Sequence, residues 1–341
     1  MNTNALTDLF DELDDHDQIE NTLNQNKRRP RNTGHHPKKI PMADRIFIHE
    51  QGDSRDNFKF TYKAARFEEW WLLDSLGDFF EHKWIVDVLR KVKGGKEASV
   101  YQCKPGVEVD ALLVAAKVYR PRSLRNLKND SQYRIGRVDL DDEGNALVKR
   151  ADVHAIAKRT SYGEELRHQS WIAHEFKTLE ILHKAGADVP KPYAMVKNAI
   201  LMGFVGDLYT AAPALSSVSL ELDEAKSLFE RVARNIDTML AYDFIHGDLS
   251  AYNILYWEGD IKLIDFPQVV LPESNPASWS IFQRDVTRIC QYFSAQGVPC
   301  DAKRLASDLW TSHGHKMVKQ VDPKHLDAEK PGDRQVWEEQ K

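Results

Sequence analysis

The sequence predicts an α+β fold in two lobes, a mainly antiparallel sheet over residues 84–205 and a mainly helical lobe from about residue 206. Three observations carry that reading. "KWIVDVLRKV" runs through a glycine turn into "KGGKEASVYQCK", and "ALLVAAKVYR" follows the turn "KPGVEVD", so strand, turn, strand, turn, strand builds an antiparallel sheet. "LDEAKSLFERVARNIDTMLAYDF" sets Leu228, Val232, Ile236, Met239 and Leu240 at helical spacing on one side. "NILYWEGDIKLIDF" then reads as a hairpin turning at Glu258–Asp260.

Composition narrows the class. At 341 residues, 42% hydrophobic and 29% charged, the chain has the makeup of a globular protein with one large or two smaller domains. Its net charge of −5 gives no global attraction to nucleic acid or membrane, and apolar runs such as "AILMGFV" are too short to span a bilayer. Cys103, Cys290 and Cys300 form neither an even set nor a metal-ligand spacing. No disulfide is therefore expected, and a reducing, cytoplasmic setting fits. Acidic residues near the start stand where a signal peptide would need a basic flank.

Residues 1–55 are expected to form a flexible tail and basic linker. Leu6, Leu9, Phe10 and Leu13 have helical spacing, and "NKRRPRNTGHHPKKIP" is either a solvated linker or an arm for RNA or a partner. Residues 56–315 should be the folded domain, divided near 205–206, with 316–341 as a second tail. In "AARFEEWWLLDSLGDFFEHK" the residues Phe67, Trp70, Trp71, Leu73 and Leu76 form the expected core face of a helix, a packing stripe more than a ligand box. Residues 120–168, rich in Arg, Asp and Lys, read as a long loop that stays mobile without ligand. "SWIAHEFKTLEILHKAG" is a helix starting from Ser170 as N-cap and stopping at Gly186. "VPKPYAMVKNAILMGFVGD" supplies two short strands, and helices near 279–296 and 301–313 close the fold.

The chemistry sits in a few places. "GGKEAS" lacks Walker spacing and is followed by a strand, so its small residues would bring backbone N–H groups to phosphate oxygens beneath a hairpin. Lys117 in "VAAKVY" could point to solvent, but its apolar neighbours suit a buried ammonium with a carboxylate partner, Glu175 or Glu180. In "HGDLSAYNIL" the Asp, Asn, Ser and Gly residues could make an ordinary turn. The hairpin, however, brings Asp248 and Asn253 towards Asp265. An asparagine and an aspartate offer oxygen ligands to a hard cation such as Mg²⁺, leaving the second aspartate to orient a hydroxyl or a water.

"KGGKEASVY", "HGDLSAYNIL" and "LIDFPQ" together resemble the signatures of the RIO-type atypical serine/threonine protein kinases, closest to their first subfamily, over roughly residues 84–297. The resemblance implies a bilobal protein-kinase-like fold with ATP and Mg²⁺ as cofactors. Gly95, Lys96, Glu97, Ala98, Ser99 and Val100 would form the phosphate loop, Lys117 would bind phosphates, and Glu175 would lie on the helix after the insertion. Asp248 would be catalytic, and Asn253 and Asp265 would hold Mg²⁺, with Asp265 itself open to phosphorylation. Met202 would gate the adenine pocket, while the Gly203 carbonyl and Val205 N–H would meet the adenine edge. Two positions depart from the pattern. Gly203 replaces a larger hinge residue, and Gly94 replaces a threonine-type residue near the phosphates. No Ala-Pro-Glu follows Phe266, and too little chain remains before Trp279 for a peptide-docking segment, an absence the family shares. Asp285 in "FQRDV" is expected to accept N–H bonds from the catalytic loop.

The implied activity is Mg²⁺-dependent phosphoryl transfer from ATP to a protein serine or threonine, with ATPase activity, autophosphorylation and a link to small-subunit ribosome maturation. Two alternatives belong to other classes. A small-molecule phosphotransferase of the aminoglycoside or choline kinase kind shares "HGDL…N" and "IDF", but the phosphate loop and the Pro-Gln after Phe266 suit it poorly. A nucleotide-switched assembly factor for a ribosomal particle or RNA would need no fast turnover.

Overall fold

The computed structural model describes residues 58–120, 133, 135–141, 143–316, 330 and 334. The expectations for residues 1–55 and for most of the second tail lie outside them. Five strands form the main sheet: β1 (Ile85–Lys93), β2 (Ala98–Pro105), β3 (Val114–Tyr119), β4 (Pro192–Val196) and β5 (Ala199–Gly203). Their order is β1-β2-β3-β5-β4, with every neighbouring pair antiparallel. The first lobe is therefore the antiparallel sheet that the turn pattern implied.

Alternation of side chains across a strand gives this sheet two working faces. Tyr101, Cys103, Val114, Ala116, Val118 and Leu201 bury against helix α1 (Arg66–Glu81). Ala115, Tyr119, Ile200 and Met202 belong to the other core, shared with the second lobe. The buried face of α1 is Trp71, Leu72, Ser75, Leu76 and Phe79, whereas Trp70 is 52% exposed. Of the expected face, Trp71 and Leu76 are buried, whereas Phe67 and Leu73 are only partly covered and Trp70 faces outward. Apolar residues ring this helix, and the sheet, not the periodicity, selects which of them it covers.

Part of the expected 120–168 loop is helical. α2 (Arg150–Ala157) and α3 (Ser161–Lys184) occupy its second half. Helix α3 starts nine residues before Ser170, with the Thr160 hydroxyl accepting from the Gly163 N–H as its cap. Ser170 is instead buried inside the helix and its Oγ accepts from the Leu140 N–H at 2.9 Å. Ile156 is the buried residue of α2 and Val153 is 49% exposed, so one buried apolar side chain leaves no readable period.

The second lobe contains α4 (Leu222–Ala241), the hairpin β6 (Ile254–Trp257) and β7 (Asp260–Leu263), α5 (Ser278–Ala295) and α6 (Ala302–Ser312). Leu228, Val232, Ile236, Met239 and Leu240 of α4 are all buried, as the periodicity requires. The cysteine expectation fails. Cys290 of α5 and Cys300, just before α6, form a disulfide with Cα atoms 5.4 Å apart. A turn through Gly297, whose φ of 88° suits glycine, folds the chain back so that residues ten apart meet.

Candidate active site

A cleft of about 550 Å³ lies between the two lobes, within the usual range for a small-molecule site. The glycine turn roofs it: Gly94, Gly95, Lys96, Glu97, Ala98 and Val100 all line it, as do Lys117, Glu175, Met202, Gly203, Val205, Asn253 and Asp265. A Cβ on Gly95 would stand 3.0 Å from the Ala98 carbonyl oxygen, so the tight turn favours glycine there. Among the expected site residues, Ser99 departs. It is 2% exposed and absent from the cleft wall, because alternation along β2 sends it to the α1 side while Ala98 and Val100 face inward. The Ser99 side chain is thus turned away from the phosphates, and only its backbone remains for the expected role.

Lys117 decides the geometry. On β3 it pairs in register with Val100 and Ile200, and its Nζ lies 2.6 Å from Glu175 Oε1 and 2.6 Å from Asp265 Oδ1. The Tyr119 hydroxyl donates to the other oxygen of Glu175, and the Tyr119 ring lies 5.2 Å below the ammonium. Burial pulls the Lys117 pKa down, but the two carboxylates win and hold it above its ordinary value. Burial would raise Asp265, and the Lys117 ammonium instead holds it below the usual carboxylate range. Glu180, the other sequence candidate, meets only Lys177 among the described residues, at 3.8 Å on the surface.

Glu175→Ala should therefore lower stability by about 2–3 kcal/mol, the worth of a charge-assisted buried bond. Glu180→Ala should stay within about 0.5 kcal/mol. Urea unfolding of both variants checks the assignment, and equal losses would overturn it.

The segment 246–253 lies behind the polar end of the cleft and brings Asn253 into its wall. The Asp248 N–H donates to His246 Nδ1 at 3.3 Å, so His246 Nε2 carries the proton and donates to the Ile264 carbonyl at 3.1 Å. That buried imidazole ties the segment to the strand end carrying Asp265. Gly247 has φ 84°, and a Cβ there would come within 2.1 Å of the Gln268 carbonyl oxygen, so no other residue fits. Asp285 Oδ2 accepts from the Gly247 N–H at 2.9 Å, as expected, and burial raises its carboxyl despite nearby His246 and Arg284. Asn253 Nδ2 donates to the Asp248 carbonyl at 2.8 Å and to Asp248 Oδ2 at 3.3 Å, leaving its own Oδ1 for a cation. Asp265 itself has φ 71°, a left-handed conformation that aspartate tolerates better than most residues.

Sequence reasoning missed Tyr119, Arg288 and the apolar walls from Leu179, Leu255 and Ile264. Arg288 Nη1 sits 2.7 Å from Asp248 Oδ1. The Val205 N–H has no backbone partner among the described residues, so the edge expected to meet a base is open.

An antiparallel sheet lobe, a helical lobe, and a strand lysine paired to a helix glutamate between them define a protein of the protein-kinase-like class. Comparison gives the family: the RIO domain description matches residues 133–305, and the chain belongs to the RIO domain family. The RIO-type serine/threonine-protein kinase Rio1 of Haloferax volcanii is 28% identical over 214 residues, 63% of this chain and 66% of the relative. Serine/threonine-protein kinase rio1 of Schizosaccharomyces pombe is 28% identical over 211 residues, 61% of this chain and 38% of the relative. The chain thus covers less than two thirds of the length of these relatives. Among solved structures, the Rio2 kinase of Chaetomium thermophilum in an ADP/Mg2+-phosphoaspartate complex is similar at 20% identity and a TM-score of 0.45, over 79% of this chain and 75% of that one.

Proposed function

We propose that residues 56–315 form an ATP- and Mg²⁺-dependent phosphotransferase, a RIO-type serine/threonine protein kinase with ATPase activity and autophosphorylation. The observation that carries this is Lys117, whose ammonium lies between Glu175 and Asp265 at 2.6 Å from each, at the polar end of an otherwise apolar cleft. Val100, Ala115 and Met202 suit a base, the open Val205 N–H and the Gly203 carbonyl suit its edge, and the glycine turn with Lys96 suits phosphates. Asn253 and Asp265 supply hard oxygen donors in the small number that Mg²⁺ takes from protein beside phosphates and water. Mg²⁺ when bound would neutralise charge on the β- and γ-phosphates. Asp248, just beyond the cleft wall and bonded to Asn253, would orient the acceptor hydroxyl.

The similarity to serine/threonine-protein kinases supports a serine or threonine acceptor. The basic stretch 26–41 supports an arm for a ribosomal particle or RNA through its charge alone. The use of ATP supports a cytoplasmic home, whereas the Cys290–Cys300 disulfide counts against a reducing one. No helix among the described residues is long and apolar enough to cross a membrane.

The test is the full chain with γ-labelled ATP. ADP release and labelled protein are expected with Mg²⁺ and should vanish with chelator. Label passing to an aminoglycoside or choline and never to protein would replace this reading with the small-molecule one.

A further inference from the structure

Helix α5 sets Arg288 four residues after Arg284 and three after Asp285, the spacings at which helical side chains are neighbours. Arg284 donates to the Gly247 carbonyl and Asp285 accepts from the Gly247 N–H. Arg288 then takes the next residue by its side chain, with Nη1 at 2.7 Å from Asp248 Oδ1. A single helix face therefore holds this segment by backbone and carboxylate together.

The two oxygens of Asp248 are not equivalent. Oδ1 is taken by a guanidinium, whereas among the described residues Oδ2 receives only a 3.3 Å contact from Asn253 Nδ2. We infer that Arg288 is a positioning residue: it fixes the Asp248 carboxylate so that Oδ2 is presented to the acceptor hydroxyl. This rests on the phosphotransferase reading above. A purely stabilising role suits the pair badly, since the side chains of Arg288 and Asp248 are 39% and 42% exposed and exposed pairs contribute little to folding. Misplacing a reacting group by about 1 Å can cost about 10²-fold in rate, so the same contact can matter to turnover.

The experiment compares Arg288→Ala and Arg288→Lys with wild type in turnover, Mg–ATP affinity by calorimetry, and melting. Arg288→Ala should lose at least about tenfold in kcat, with KM and Kd for Mg–ATP within about twofold and melting unchanged. Arg288→Lys should recover a clear part of the loss, because an ammonium can still reach a carboxylate oxygen. Wild-type kcat in Arg288→Ala overturns the inference. So does a loss accompanied by weaker Mg–ATP binding or a lowered melting temperature, or a lysine variant as poor as alanine. Should Arg288→Ala not fold, a purely structural role is shown for it unless Arg288→Gln folds and reproduces the kcat-only loss. A wild-type chain without Mg–ATP turnover instead removes the phosphotransferase reading, and this inference with it.

Discussion

Asp265→Ala is expected to abolish Mg²⁺-dependent ATP binding and turnover together. The Asp265 carboxylate is the charged oxygen donor that lines the cleft beside Asn253, and the Lys117 ammonium 2.6 Å away keeps it ionised. Its removal takes the charge from the proposed cation site while Lys117 keeps Glu175 and the Tyr119 ring, so the fold should survive. Metal-assisted charge stabilisation is worth several kcal/mol, and about 4 kcal/mol corresponds to roughly 10³-fold in rate. Calorimetric titration with Mg–ATP, with melting as control, measures the first effect. If Asp265 also accepts a phosphoryl group, its carboxylate oxygen bonds to the γ-phosphorus as ADP leaves. Wild type should then carry a hydroxylamine-labile phosphate that the variant lacks. Intact Mg–ATP affinity in Asp265→Ala would sink the metal assignment, and phosphate found only on serine or threonine would remove the aspartyl step alone.

Several parts of this site were readable from residues because local patterns fixed them. Alternation in "VAAKVY" placed Lys117 on one face of a strand, and the hairpin after "HGDLSAYN" had to return Asp265 towards Asn253. Other parts depended on contacts the chain does not write locally. Glu175 and Glu180 are both on α3, but five residues separate them by roughly 140° around a helix, and only packing says which points inward. The Ser99 side chain turns away from the cleft by strand alternation, which its place in the glycine turn does not announce. Arg288 comes forty residues after its partner Asp248, with no spacing to announce it. The polar first turns of α3 and the whole of α2 show no apolar period because polar contacts between the two hold them: the Tyr162 hydroxyl donates to Asp152 Oδ1 at 3.0 Å, and Arg167 Nη2 donates to the Ile156 carbonyl at 3.0 Å. The Cys290–Cys300 pair likewise follows from a turn between helices, not from a cysteine motif.

Asp248→Ala should separate from Asp265→Ala by sparing the ground-state complex. Asp248 does not line the cleft; it touches Asn253 and Arg288 at the cleft's polar end. Loss of a general base or of a group that orients the nucleophile typically costs about 10²–10⁴ in rate, and that is the fall in kcat expected here. Mg–ATP affinity should remain within a few-fold, because Lys117, Asp265 and the Asn253 Oδ1 all persist. The alanine removes an acceptor that Asn253 Nδ2 uses at 3.3 Å, but the stronger 2.8 Å bond goes to the Asp248 main-chain carbonyl, which alanine retains. Asn253 should therefore keep its orientation. Asp248→Asn is the closer control, since its amide oxygen can still accept from Arg288 while its charge and proton-accepting power are gone. The two variants should fall together in kcat if basicity or charge is what matters. Recovery in Asp248→Asn would instead make Asp248 a spacer for Arg288 and Asn253. A Kd for Mg–ATP that rises as steeply in Asp248→Ala as in Asp265→Ala would place Asp248 among the nucleotide ligands and end its assignment to the acceptor.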